Sequence, residues 1–168
     1  MERQEELRHL REGPRPNEKP PPIDYLIAHC PGNAEVVLKK TKEVLEVVLS
    51  LDPENWPSDS EWASILPRWF LDASGPNLTR KEAEEYLARL KGLPPEERVR
   101  VEAKARWSTS DFLYWFRSDE RFWYWWDGKA ESADELRVAQ VFAGWPYPTG
   151  ALEWLLRASG AIDAEKEI

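Results

Sequence analysis

The chain has 168 residues, a length that fits one domain built on one hydrophobic core. Hydrophobic residues make up 42% and charged residues 32% of the chain, a composition that predicts a soluble folded protein. The net charge of -8 opposes contact with phosphate backbones and anionic lipids, so general nucleic-acid binding and membrane binding are not expected.

The opening of the chain, Met1 to Gly13, is charged, and no run of 18 apolar residues occurs. The sequence therefore predicts no signal peptide and no transmembrane span, and the expected location is the cytoplasm.

Cysteine and histidine are scarce, which limits redox and metal chemistry. Cys30 is the single cysteine, and with His9 and His29 it cannot supply the four ligands of a usual structural zinc site. His29 and Cys30 are neighbours on an extended segment, so their side chains are expected to point in opposite directions. We expect no nucleophile and base pair, no metal and no cofactor.

The first 22 residues differ from the rest, because a charged stretch is followed by the proline-rich sequence GPRPNEKPPP. Prolines remove backbone donors and favour an extended polyproline conformation. The sequence predicts a charged, proline-rich arm over residues 1–22 and a single Trp-rich globular domain over residues 23–168. Whether this arm docks is left open, and its removal is expected to change stability little.

The longest helix is predicted to begin at the N-cap Asn33 and to end at Asp52-Pro53. Ser58 with Glu61 forms a capping box that opens a second helix, which Pro67 must kink or split.

Three or four further helices are predicted from their start signals. Thr79 with Glu82 forms a second capping box, which is followed by an apolar stripe and by Gly92 as a helix stop. The remaining starts are Pro94-Pro95, Ser108 with Asp111, and Thr149.

An aromatic run from Arg121 to Asp127 favours a β-strand, because alternate side chains then lie on opposite faces. Trp123 and Trp125 are expected to face away from Tyr124 and Trp126. A turn at Asp127-Gly128 and alternation from Leu136 to Phe142 complete a predicted hairpin. A helix remains the alternative for residues 132–143, since Ser132 with Glu135 is also a capping box. The predicted fold class is α+β and mostly helical, with five to six helices and one small antiparallel hairpin near the C-terminal third.

Ten tryptophans predict a Trp-rich core with a surplus of aromatic residues for an interface. The residues expected to bind a partner or ligand are Arg117, Arg121, Trp123, Trp125, Trp126 and Trp145. No phosphate-binding glycine loop and no catalytic motif is present. We therefore expect a non-catalytic protein that binds another protein, as an accessory subunit or as an acidic inhibitor or immunity-type protein.

The alternative class is a small-molecule or carbohydrate-binding, or hydrolytic, protein. Such a protein would use a Trp-lined cleft with Asp119, Glu120 and Asp127 as its carboxylates. Two carboxylates converging on one cleft would favour the alternative, whereas an exposed aromatic surface would favour partner binding.

Overall fold

The computed structural model describes residues 1–117 and 119–167. Ser118 and Ile168, which fall within the predicted domain 23–168, lie outside the described residues. Over the described residues the fold is α+β, with eight α-helices and one four-stranded antiparallel sheet.

The first strand lies near the N-terminus, and the other three strands lie in the last third of the chain. In chain order they are α1 (Arg3–Glu12), β1 (Ile23–His29), α2 (Ala34–Ser50), α3 (Asp59–Ile65), α4 (Arg68–Ala73), α5 (Arg80–Lys91), α6 (Pro95–Lys104), α7 (Thr109–Tyr114), β2 (Trp123–Ala130), β3 (Glu135–Phe142), α8 (Gly150–Ala158) and β4 (Asp163–Lys166). The strand order in the sheet is β2-β3-β1-β4.

The predicted hairpin is formed by β2 and β3, so the helical alternative for residues 132–143 is wrong. The hairpin is part of a larger, four-stranded sheet, and the described residues form eight α-helices where five to six were predicted. The turn predicted at Asp127-Gly128 is also wrong, because both residues lie within β2 and the strands are joined by residues 131–134. A bulge between Trp125 and Asp127 adds one residue to β2 and resets its pairing with β3.

The two faces of the sheet bury different side chains. Trp123 and Trp125 lie in the main core with α2 and α8, whereas Tyr124 and Trp126 belong to a smaller cluster on the opposite face. The predicted division of these four side chains is therefore confirmed. Half of the tryptophans, namely Trp62, Trp123, Trp125, Trp126 and Trp154, are buried, as a Trp-rich core requires.

Helix start signals place most of the helices correctly. The Ser58 and Thr79 capping boxes are both formed, and Pro67 splits the second predicted helix into α3 and α4. Asn33 precedes α2 as predicted but donates and accepts no capping hydrogen bond through its side chain. Gly92 ends α5 with a right-handed φ of -77° and not in the left-handed conformation of a typical glycine stop.

The largest departure from the sequence prediction is the N-terminal segment. Residues 3–12 form α1, and Leu7 and Leu10 are buried in the main core. Glu6 and His9 on the same helix are also buried. Whether this segment docks was left open, and α1 lies against α2 and β2. In contrast to the expectation for a proline-rich arm, it also buries apolar side chains.

Candidate functional site

Most of the side chains predicted to bind a partner are inside the protein. Trp123, Trp125 and Trp126 are buried, so their rings serve the cores on the two faces of the sheet. A partner cannot contact these three rings in this conformation. They therefore do not form an exposed aromatic surface for a partner.

The Arg121 side chain is only 5% exposed, and its neighbours explain why. Its guanidinium donates to the Glu6 carboxylate at 2.6 Å and to the Trp123 carbonyl at 2.8 Å. It also lies 4.7 Å from the ring centroid of Tyr124 and 5.5 Å from that of Trp123. The cationic group of this arginine therefore contacts aromatic rings inside the protein.

Two predicted residues remain accessible. Trp145 is 73% exposed, with the ammonium group of Lys166 located 5.1 Å from its ring centroid. Arg117 is exposed beside a small cavity of about 230 Å³ that also contains Trp56 and Trp62. The six predicted residues are thus distributed over separate places in the fold.

The three carboxylates predicted for the alternative class interact with residues close to them in sequence. A hydrogen bond to the Glu120 carboxylate raises the pKa of Tyr114, and Asp119 contributes to the same direction through its charge. Asp127 lies on β2 and accepts from the backbone N–H of Gly128 at 2.9 Å. None of these carboxylates lines the large groove described below.

Cys30 and His29 point away from each other, as predicted. The Cys30 thiol is fully buried and lies in the main core, whereas the His29 side chain is half exposed near Asp163 on β4. Burial raises the pKa of the Cys30 thiol, which disfavours the reactive thiolate.

A second histidine, His9, lies in a charged cluster with Glu5 and Glu18. The three side chains bring their ligand atoms within 4.8 Å of one another, a spacing that a metal ion could bridge. The guanidinium of Arg8 already lies at the centre, 2.7 Å from Glu5 and 2.8 Å from both Glu18 and His9. We therefore assign the cluster to the internal bonding of α1 and its connection to β1.

A groove of about 800 Å³ lies between α5 and α7. Each helix presents residues at positions i, i+3 and i+4 to it. The α5 wall consists of Ala83, Tyr86 and Leu87, and the α7 wall consists of Asp111, Tyr114 and Trp115, the residue that caps the C-terminus of α7. We call this surface the α5–α7 groove.

The floor of the α5–α7 groove is held by contacts between two loops. The backbone N–H of Gly75 donates to the Trp107 carbonyl at 2.8 Å, and Gly75 forms an isolated bridge with Ser108. Arg106 donates to the carbonyls of Ala73 and Ser74 at the end of α4. These contacts fix the base from which α5 and α6 emerge.

The groove exposes apolar side chains that the core does not use. Leu87 is 53% exposed, and Leu78 and Tyr114 are also exposed. On α5 only Leu90 is buried, and none of the residues of α6 is buried. Exposed apolar surface gathered in one concave place is typical of a binding site, whereas single exposed residues are not.

Three charged side chains contribute to the lining, namely Lys104, Arg106 and Asp111. Arg106 is occupied by the carbonyls of α4. Within residues 1–117 and 119–167, neither the Lys104 ammonium nor the Asp111 carboxylate forms an ion pair or a side-chain hydrogen bond. The groove therefore offers one available cation and one available anion beside apolar walls.

The sequence indicated the apolar residues of α5 that line this groove, but it did not indicate that they are exposed. The apolar stripe of α5 was predicted correctly, but a stripe of this kind is expected to face the core. Its exposure depends on how α5 and α6 project from the base at Gly75 and Trp107, which local spacing does not encode.

No protein-family model matches the chain, and the searches of curated proteins and of solved structures likewise found no significant match. Of the helices in the described part of the chain, none is both long and apolar enough to cross a membrane.

Proposed function

We propose that the protein is a non-catalytic protein-binding protein, of the accessory or inhibitor and immunity type, and that it docks its partner in the α5–α7 groove. The observation that carries this proposal is the apolar lining formed by Tyr86 and Leu87 on α5 and by Tyr114 on α7, of which Leu87 and Tyr114 are exposed. Interfaces concentrate their binding energy in apolar and aromatic side chains of this kind, surrounded by polar groups.

The groove suits a helical segment of the partner. Its two walls are helices, and the side chains at positions i, i+3 and i+4 of each wall form a ridge. The apolar face of a third helix can pack between these two ridges. The available charges of Lys104 and Asp111 would fix the register of such a segment.

The hydrolytic alternative has less support from the geometry. Of the carboxylates, only Asp111 is among the groove-lining residues, whereas a glycoside hydrolase of the usual kind needs two carboxylates that face each other. Asp127 lies beside a different, smaller cavity, of about 180 Å³.

The proposal is tested by capturing partners with the tagged full chain from cells of its native source. Leu87→Glu places a charge on the groove wall, and Val36→Glu is the matched control, because Val36 is 52% exposed on α2. We expect the parent and Val36→Glu to retain the same stoichiometric partner and Leu87→Glu to lose it. A partner retained equally by all three proteins would contradict docking in the groove.

A further inference from the structure

The α5–α7 groove is an apolar surface that the free protein leaves uncovered. Exposed apolar surface of this kind promotes association in water until something covers it. In the absence of a partner, the nearest source of a matching surface is another copy of the same chain. This step rests on the proposed function, since it treats the groove as a protein-docking surface.

We propose that the groove also mediates reversible self-association, in which two copies of this chain cover each other's groove around a two-fold axis. A two-fold interface brings each residue i of one copy against residue j of the other, and residue j against residue i. A surface that forms a two-fold interface must therefore be complementary to itself in charge and in shape.

The lining of the groove meets this condition for charge. Lys104 and Asp111 have opposite charges, both line the groove, and neither forms an ion pair within the described residues. A two-fold axis between them pairs Lys104 of each copy with Asp111 of the other. The interface then contains two such ion pairs, and each of the four charges has one partner.

The shape of α5 meets the same condition. Leu90 is the one buried residue of α5, so this helix is an exposed ridge beside the groove that it borders. Each copy thus presents both a ridge and a groove, so the ridge of one copy can enter the groove of the other.

The net charge of -8 opposes association over the remainder of the surface. The groove is an exception, since its lining contains two basic residues and one acidic residue. An interface confined to this surface is small, and we expect a dissociation constant of about 1 to 100 µM. Self-association would then compete with partner binding and would keep the groove covered until a tighter partner arrives.

Sedimentation velocity of the full chain over a wide concentration range tests the inference. We expect the parent and Val36→Glu to show the same concentration-dependent dimer. Lys104→Asp and Asp111→Lys are each expected to raise the dissociation constant at least about tenfold, because each places like charges together. The double variant with both changes is expected to recover most of the parental affinity.

The double variant also controls for folding, since it contains the same two substitutions as the weakened single variants. A parent that stays monomeric at every concentration overturns the inference. A dimer that is unaffected by Leu87→Glu places the interface elsewhere and also overturns it. Weakened single variants without recovery in the double variant overturn the pairing of Lys104 with Asp111.

The two proposals fail in different ways. A monomeric parent whose captured partner is lost on Leu87→Glu overturns self-association and leaves the proposed function supported. A dimer that depends on the groove, together with partner capture that does not, overturns groove docking of the partner alone.

Discussion

The Glu6 carboxylate accepts a hydrogen bond from the backbone N–H of Trp125 at 2.8 Å, across 119 residues of sequence. Trp125 lies on β2, which is the edge strand of the sheet, and its N–H points away from β3. His9 contacts the neighbouring carbonyl of Trp126 through Nδ1 at 2.9 Å. Helix α1 thus covers the polar groups of an edge strand that could otherwise pair with another chain.

Removal of the Glu6 carboxylate should be costly, because it leaves the Arg121 guanidinium buried without its anion. We expect Glu6→Ala to lower the free energy of unfolding by about 3 to 5 kcal/mol. Urea denaturation measures this change, with Glu85→Ala on the exposed face of α5 as a control that is expected to change it by less than about 0.5 kcal/mol. Equal effects of the two substitutions would show that the buried pair does not stabilise the fold.

Helix α1 as a whole should be part of the folded core. Leu10→Ala is expected to cost about 2 to 5 kcal/mol, since it opens a cavity where the side chain is buried. The measurement is again urea denaturation, with Leu78→Ala as the exposed control. A Leu10→Ala protein as stable as the parent would support the original expectation of a dispensable arm.

Gly128 is required by the position of the Trp125 ring. A Cβ atom at residue 128 would lie 2.5 Å from Cζ2 of Trp125 and 2.9 Å from Cδ1 of Leu38. We expect Gly128→Ala to destabilise the protein by about 1 to 3 kcal/mol through overpacking. Gly144→Ala is the matched control, because nothing lies within 4 Å of a Cβ there. Thermal unfolding of both variants checks the difference, and equal melting temperatures would contradict it.

The fold could be predicted from sequence where the signal was local. The hairpin follows from the alternation of its side chains, and α3 and α5 follow from their capping boxes. The interior strand β1 has no such alternation, and β4 has only four residues. Helix α1 was missed because the residues it buries include Glu6 and His9, whose partners lie on β2 far along the chain.

The site was predicted poorly for a related reason. A dense aromatic run indicates either a core or an interface, and only the packing of α2 and α8 over the sheet decides between them. Asp127-Gly128 resembles a turn, but here the glycine makes room for the Trp125 ring within a strand.

Low pH should weaken the contacts that Glu18 makes from the segment between α1 and β1. The Arg15 backbone N–H, together with Arg8 and His9, lowers the pKa of the Glu18 carboxyl to about 2 from an ordinary value of 4.5. A carboxyl whose pKa is lowered by folding contributes stability that is complete above the ordinary value and is lost as the pH falls towards the lower one. We expect the difference in stability between the parent and Glu18→Gln to be largest above about pH 5 and to shrink between pH 4.5 and 2. A difference that is constant over this range would contradict the assignment.

The Cys30 thiol should be unreactive in the folded protein. Its burial, together with its raised pKa, keeps the nucleophilic thiolate scarce. We expect a thiol reagent such as Ellman's reagent to label it at least about a hundredfold more slowly in buffer than in urea. Rapid labelling of the folded chain would show that this part of the core is open.

Hydrogen exchange followed by mass spectrometry, with and without the captured partner, tests the α5–α7 groove most directly. We expect the partner to slow exchange in peptides that cover residues 80–91 and 104–115, with little change in α2. Protection confined to the outer face of the sheet, or spread evenly over the chain, would contradict the assignment of the groove as the docking surface.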